Sequence, residues 1–320
     1  MARSVCISAL GPAPFERRDG ATISQTISLA KAHLETWIEK VLPDQPDLIV
    51  LPEACDRPKN MGRAEGRRYV AERGTQIRDW LCALAREQRV NVAYSACLPE
   101  KDGSARNATT FIGRGGEIRG VYHKNHLVWE EESESGIRFG REAPIIEMDF
   151  GRAAGVICFD LNFDELREKY VRAKPELLVF SSMYHGGFVQ RNWAYTCRSY
   201  FVGAVAGLPC TIIDPLGEVV AQSTNYHPYV TQTVNLDYVL AHLDYNWEKL
   251  DAMRRHYGPL VRVKDPGLLG AVMITSESDT VSASKMAAEF EIELLDDYME
   301  RSLAHRHAPG MMEEDRDAEN

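Results

Sequence analysis

Strand-like runs alternating with amphipathic helical stretches predict an α/β protein, and two further observations refine that class. Several neighbouring strands are joined by tight glycine turns, as at Gly115-Gly116, and read as hairpins, so the sheet should be mixed rather than purely parallel. With 320 residues, of which 44% are hydrophobic and 26% charged, the chain can bury a large core and has an ordinary globular composition.

The elements follow in order. Val5-Cys6-Ile7-Ser8-Ala9-Leu10 reads as a first strand, stopped by Gly11-Pro12. Ser24 to Val41 has helical spacing at Ile27, Ala30, Leu34, Trp37 and Ile38 and ends before Pro43. Leu48 to Leu51 is a short buried strand. Glu65 to Gln88 reads as one helix with Ile77, Trp80, Leu81, Leu84 and Ala85 on a common face. Val90 to Leu98, Asn107 to Ile112 and Ile118 to Tyr122 are strands, as are Ile145 to Phe150 and Ala153 to Ile157. Asp164 to Lys174 is helical and Leu177 to Ser181 is again a strand. Beyond Thr224 the pattern changes: Leu236 to Arg255 is rich in helix formers, and Ser282 to Arg306 predicts one long helix before an acidic end, Glu313-Glu314-Asp315-Arg316-Asp317-Ala318-Glu319-Asn320. Residues 1–265 are therefore expected to form a catalytic domain and 266–320 a C-terminal extension with a long helix and an acidic tail.

Charge and composition narrow the partners. A net charge of −10, with no Lys/Arg-rich face to offset it, argues against nucleic acid. No apolar run approaches the roughly 18 residues of a membrane helix, and Met1-Ala2-Arg3-Ser4-Val5-Cys6 lacks the apolar stretch of a signal peptide. The seven cysteines show neither metal-ligand spacing nor a disulfide rhythm. A cytoplasmic protein with free thiols is expected.

Three separated segments each end a strand-like run on a reactive side chain: Leu48-Ile49-Val50-Leu51-Pro52-Glu53, Tyr122-His123-Lys124 and Gly155-Val156-Ile157-Cys158. A carboxylate that accepts a proton, an ammonium that stabilises an oxyanion and a thiol that attacks carbon are the parts needed to break a carbon–nitrogen bond. Open α/β sheets build their sites at such strand ends. Among the other cysteines, Cys6, Cys82, Cys97, Cys197 and Cys210 lie in apolar runs and read as packing. Cys55, close to Glu53, is the alternative nucleophile.

In order and separation these segments resemble the signature blocks of the nitrilase, or carbon–nitrogen hydrolase, superfamily. Asn107-Ala108-Thr109-Thr110 with Gly115-Gly116-Glu117-Ile118, and Ile213-Asp214-Pro215-Leu216-Gly217-Glu218-Val219, resemble further parts of it, so the likeness covers roughly residues 4 to 250. The resemblance implies a four-layer α-β-β-α sandwich with mixed sheets. It also implies a Glu53, Lys124 and Cys158 triad, with the Phe159 N–H sharing the oxyanion with Lys124. A thiol beside an ammonium and ahead of the helix at Asp164 is expected to have a lowered pKa.

Many members carry a second glutamate before a glycine, here Gly140. Glu130, Glu131, Glu132 and Glu134 are all available; the Glu-Ser wording is met by Glu134 and by Glu132, and spacing favours Glu134. Phe159-Asp160 after the cysteine, instead of Trp-Glu, is closer to the amidase and carbamoylase branches. Those branches often place an arginine next, where it grips a substrate carboxylate, whereas this chain has Leu161 and Asn162. A replacement would have to come from Arg138, Arg141, Arg191 or Arg198. Tyr184 and His185, just past a strand, and Trp129 are expected to touch substrate.

The expected protein is thus an amidase that cleaves a small carboxamide or ureido compound through a cysteine thioester. It needs no metal or organic cofactor, because thiol, acid and amine supply the chemistry. Family members commonly pass C-terminal segments between subunits, which implies a homodimer or larger homo-oligomer. The rivals are a nitrilase acting on a C≡N bond and a catalytically silent binding protein.

Overall fold

The computed structural model describes residues 2–309. The expected acidic tail lies outside them. Ser4–Val234 form one compact unit, and a second begins at Asn235 and includes Arg3.

The larger unit is an α-β-β-α sandwich of two six-stranded mixed sheets. In chain order its elements are β1 (Ser4–Leu10), α1 (Ile23–Val41), β2 (Leu48–Val50), α2 (Arg63–Arg73), α3 (Gln76–Gln88), β3 (Asn91–Pro99), β4 (Ala105–Ile112), β5 (Ile118–His123), α4 (Trp129–Ser133), β6 (Ile146–Met148), β7 (Gly151–Ile157), α5 (Asp164–Ala173), β8 (Leu177–Ser182), α6 (Phe188–Cys197), β9 (Tyr200–Val205), β10 (Thr211–Ile213), β11 (Val219–Gln222) and β12 (Tyr229–Asn235). The first sheet runs β12-β1-β2-β3-β4-β5 and the second β11-β10-β9-β8-β7-β6. Each has a parallel centre, β1-β2-β3 or β7-β8-β9, extended by antiparallel hairpins. The parallel strands β2, β8 and β9 are buried at every position, as strands covered on both faces must be.

Local chemistry explains the helices that flank them. Thr22 caps α1 by accepting from the Gln25 N–H, and the Gln25 side chain accepts from the Thr22 N–H. Its buried stripe is Ile23, Ile27, Ala30, Leu34 and Ile38. Behind the second sheet, the Tyr170 hydroxyl of α5 donates to the Gly155 carbonyl at 2.7 Å. Between the sheets, the Ser181 hydroxyl donates to the Leu51 carbonyl at 2.8 Å. At Gly155 the sheets approach so closely that a Cβ would sit 2.7 Å from Tyr122 Cβ.

Three expected elements take another form. The helix expected over Glu65 to Gln88 is two, because the chain turns at Gly74 with φ 54°. The stripe of α3 does not continue into α2, whose Arg73 is instead buried against Asp56. In the smaller unit, the helical reading of Leu236 to Arg255 divides into β13 (Tyr238–His242) and α7 (Trp247–Tyr257). Then come β14 (Val261–Lys264), β15 (Ala271–Ser276), α8 (Ala283–Glu289) and α9 (Leu295–Arg306). β13 pairs antiparallel with β15, whose other edge holds β14, and that ladder overrides the local helix preference. The long helix expected over Ser282 to Arg306 is interrupted between α8 and α9. Glu291 adopts φ 52°, and buried Asn246 donates to the Glu293 carbonyl at 3.0 Å while accepting from its N–H at 3.2 Å. That two-way amide pairing holds the linker out of helical geometry. Among the described residues no helix is long and apolar enough to cross a membrane.

The close approach at Gly155 has a measurable consequence. Gly155→Ala forces a methyl group into Tyr122 and should lower unfolding stability by about 1–3 kcal/mol, read as an earlier denaturant midpoint. An unchanged midpoint would show that the sheets separate freely there.

Candidate active site

Glu53, Lys124 and Cys158 lie just beyond the C-terminal ends of β2, β5 and β7. The Leu51 N–H still bonds the Ala93 carbonyl at 3.0 Å, which carries the β2 direction up to Glu53. The Lys124 N–H donates to the Asn107 carbonyl at 2.8 Å, extending the β4–β5 ladder by one residue. Cys158 opens a short 3₁₀ turn in left-handed backbone, φ 47°, a strained conformation for a residue with a Cβ.

Lys124 is the centre of the cluster. Its side chain is 2% exposed, and its Nζ lies 3.0 Å from Glu53 Oε1 and 2.7 Å from Glu131 Oε2. Asn107 Nδ2 bridges the same two carboxylates, donating to Glu53 Oε1 at 2.8 Å and to Glu131 Oε1 at 3.1 Å. Burial alone would depress the ammonium's pKa, but Glu53 and Glu131 outweigh it and raise the value, so Lys124 carries its charge throughout the neutral range.

The thiol departs from expectation. Burial, and after it the Glu53 carboxylate, push Cys158 up to about 12, against the smaller lowering effects of Lys124, the Met183 backbone and Ser182. The resting sulfur is a thiol. The helix that was to lower it, α5, begins only at Asp164, with the 3₁₀ turn in between.

Glu134 is not part of the cluster. Its carboxylate pairs with Arg63, its carbonyl accepts from Arg67, and its side chain is 40% exposed. Glu131 occupies the place beside Lys124 instead. Within α4 the Glu131 carboxylate turns back to accept from the Val128 N–H at 2.9 Å, which aims it at Lys124. Sequence reasoning also passed over Asn107, although it stands in the quoted hairpin block. An amide within the strand, 17 residues before the lysine, was the available signal.

Around the thiol, Phe159 is half-buried with its ring edge-on to Phe163 at 5.1 Å. Asn162 donates to the Phe159 carbonyl at 3.1 Å and accepts from the Tyr184 hydroxyl at 3.2 Å. Burial raises the Tyr184 phenol, against the lowering effect of its hydrogen bond to Asn162. His185 lies half-buried in the same loop, with Nδ1 accepting from the Gly187 N–H at 3.1 Å, and burial lowers its pKa. Trp129 is 72% exposed on α4.

Three of the four arginines considered as anchors, Arg138, Arg191 and Arg198, have other partners. Arg138 pairs with Asp102 at 3.0 Å and lines, with Arg141, a separate cavity that includes Arg106, His123 and Glu142. Arg191 pairs with Glu218 at 2.9 Å, and Arg198 stacks over Tyr195 at 4.6 Å. Among the described residues no group of three or more His, Cys, Asp or Glu side chains is disposed to hold a metal ion.

A protonated thiol beside a carboxylate, with a permanent ammonium between two acids, can perform nucleophilic attack assisted by a general base. Comparison with known proteins identifies the family and the fold. The family model described as carbon-nitrogen hydrolase matches residues 20–241. A 2-oxoglutaramate amidase of Bacillus subtilis is 24% identical over 148 residues, 46% of this chain and 56% of the relative, so the match spans little more than half that relative's length. An omega-amidase of Danio rerio is 23% identical over 231 residues, 64% of this chain and 82% of the relative. The crystal structure of a Saccharomyces cerevisiae protein, described as a member of branch 10 of the nitrilase superfamily, superposes with TM-score 0.62 at 18% identity, covering 81% of this chain and 96% of that one.

The electrostatics of the cluster lead to a measurement on the thiol alone. The rate of Cys158 alkylation, followed by peptide mass, should climb with pH towards about 12. Glu53→Gln removes the charge that raises the thiol and should therefore speed alkylation at mildly alkaline pH. A wild-type thiol titrating at or below its ordinary value of 9.0 would contradict this electrostatic account.

Proposed function

From the premise that the chain belongs to the carbon–nitrogen hydrolase family, we propose that it hydrolyses a non-peptide C–N bond of a small carboxamide or ureido compound through a cysteine thioester. The observation that carries the reading is the buried Lys124 ammonium held between Glu53 and Glu131, with the protonated Cys158 under the influence of both Glu53 and Lys124.

The thiol's raised pKa supports a first step in which the proton moves with the attack. A stored thiolate is unfavourable here, so Glu53 takes the proton from Cys158 as the sulfur attacks the substrate carbonyl. Negative charge develops on the carbonyl oxygen, where Lys124 Nζ and the Phe159 N–H receive it. The tetrahedral species collapses, and the proton held by Glu53 goes to the departing nitrogen. Ammonia or an amine leaves and Cys158 remains as a thioester. Glu53 then takes a proton from water, the hydroxide adds to the thioester, and the acid departs as the thiol is restored. Glu131 and Asn107 act on Lys124 and Glu53, keeping the ammonium and the base in register.

An uncharged acyl group fits this reading best. Asn162, bonded to Tyr184, stands at a position where the resemblance would put a carboxylate-gripping arginine. Tyr184 is the residue assigned to substrate contact, with Phe159 beside it; His185, held by the Gly187 N–H, borders the same loop. Trp129, at 72% exposure, is assigned no such contact. A small-molecule substrate and a cytoplasmic setting complete the proposal.

Release of ammonia or amine from paired amide and nitrile panels tests it, with Cys158→Ala expected to abolish turnover while leaving the melting curve unchanged. Turnover by that variant, or a preference for nitriles, would overturn the amidase reading. Within the same assay Glu131→Gln should lower kcat on the order of 10²-fold, the scale of a lost oxyanion-stabilising group. Glu134→Gln should change kcat/KM by less than about fivefold, since an exposed ion pair is worth only ~0.2–1 kcal/mol. The reverse ranking would restore Glu134 as the second glutamate.

Substrate charge is tested with amides that differ only in a distal carboxylate. A missing Arg–carboxylate contact forfeits roughly 1.5–3 kcal/mol, about 10- to 150-fold, so the neutral member should have a kcat/KM at least equal to that of the anion. A tenfold or greater preference for the anion, about 1.4 kcal/mol, would show that the pocket contains a carboxylate clamp.

A further inference from the structure

Asp160, two residues beyond Cys158, is fully buried at 0% exposure. Its Oδ1 accepts from the backbone N–H of Asn125 at 3.1 Å and of His126 at 2.7 Å, and lies 3.1 Å from His126 Nδ1. Its Oδ2 accepts from the Tyr122 hydroxyl at 2.7 Å and the Ile157 N–H at 3.1 Å. Those partners come from two segments. Tyr122, Asn125 and His126 surround Lys124 in sequence, and Ile157 immediately precedes Cys158. His126 is fixed in turn by stacking on Phe163, 4.1 Å between centroids and 5° apart, with Nε2 3.8 Å from Glu165.

We propose that Asp160 is a positioning residue whose single buried carboxylate sets the placement of the Lys124 ammonium relative to the Cys158 thiol. Oxyanion stabilisation demands donors about 2.7–3.1 Å from the oxygen, yet Lys124 and Phe159 follow strands of different sheets. One side chain that accepts from both segments converts two independent loops into one rigid part. The strained backbone of Cys158 also needs such a restraint, because a left-handed non-glycine residue persists only where its surroundings over-determine it. A carboxylate is required by valence. Every group facing Asp160 can act as a donor, so the NH2 of an asparagine would meet donors and leave buried N–H groups unpaired. This inference rests on the cysteine-hydrolase reading above.

The test compares Asp160→Asn and Tyr122→Phe with the unaltered protein. It uses three readouts: kcat and KM on a neutral amide, the pH profile of Cys158 alkylation by iodoacetamide, and the melting temperature. A misplacement of about 1 Å can cost on the order of 10²-fold, so Asp160→Asn should lose about that factor in kcat with KM changed less than about threefold. Tyr122→Phe, which removes one donor and little volume, should lose roughly tenfold in kcat. In both, the alkylation profile should move to higher pH, because Lys124 lowers the thiol's pKa and would no longer be held beside it. A role confined to stability would lower the melting temperature and leave the alkylation profile of the folded protein in place, and that result overturns the inference. If Asp160→Asn does not fold, Tyr122→Phe decides the matter by the same profile. Alkylation needs no substrate, so refusal of every amide would count against the proposed hydrolysis while the profile still judges Asp160.

Discussion

One buried positive charge organises the candidate site. An ammonium at 2% exposure is costly to desolvate, by several kcal/mol even after relaxation, unless opposite charges and hydrogen bonds surround it. Lys124 meets that requirement with two carboxylates from different parts of the chain. Glu53 arrives from the end of β2 and Glu131 from the first turn of α4, and Asn107 of β4 holds both through one amide nitrogen. Each of the four side chains is therefore held by two of the others. Shortening any one of them would leave a buried charge or acceptor without its partner, which is more expensive than never having buried the set.

Burial, and after it the Glu53 carboxylate, raise the Cys158 thiol despite the lysine nearby, so the sulfur is kept protonated. In the proposed mechanism the nucleophile is made on demand, which protects it from stray electrophiles and oxidants, since reactivity follows thiolate character. Attack is then coupled to proton transfer, which makes the placement of Glu53 as important to that mechanism as that of the sulfur.

Rigidity between the sheets gives this arrangement its precision. Gly155 permits Tyr122 to lie against β7, Ser181 ties β8 to Leu51, and Asp160 collects hydrogen bonds from the lysine segment and from the residue before the cysteine. Apart from the bond between Asp160 and the Ile157 N–H, these contacts join chain positions 33 to 130 residues apart, along strands whose order the parallel ladders set.

The sequence by itself determined the α/β class, most strand and helix positions, and the strand-end residues Glu53, Lys124 and Cys158, because those features are written locally. A buried apolar run, a capping threonine or a reactive residue after a strand depends on a few neighbouring positions. The family resemblance supplied the sandwich architecture. Tertiary structure decided the rest. Four acids in a short stretch cannot be ranked from sequence, because Arg63 and Arg67 of α2 claim Glu134, while the α4 turn aims Glu131 at Lys124. The long C-terminal helix breaks because Asn246, 47 residues before Glu293, bonds its backbone. The thiol's protonation depends on burial and on a carboxylate more than 100 residues away in sequence. Periodicity and motif record what a residue does to its neighbours in sequence, whereas hydrogen-bond partners, burial and electric field depend on neighbours in space, which only the folded chain brings together.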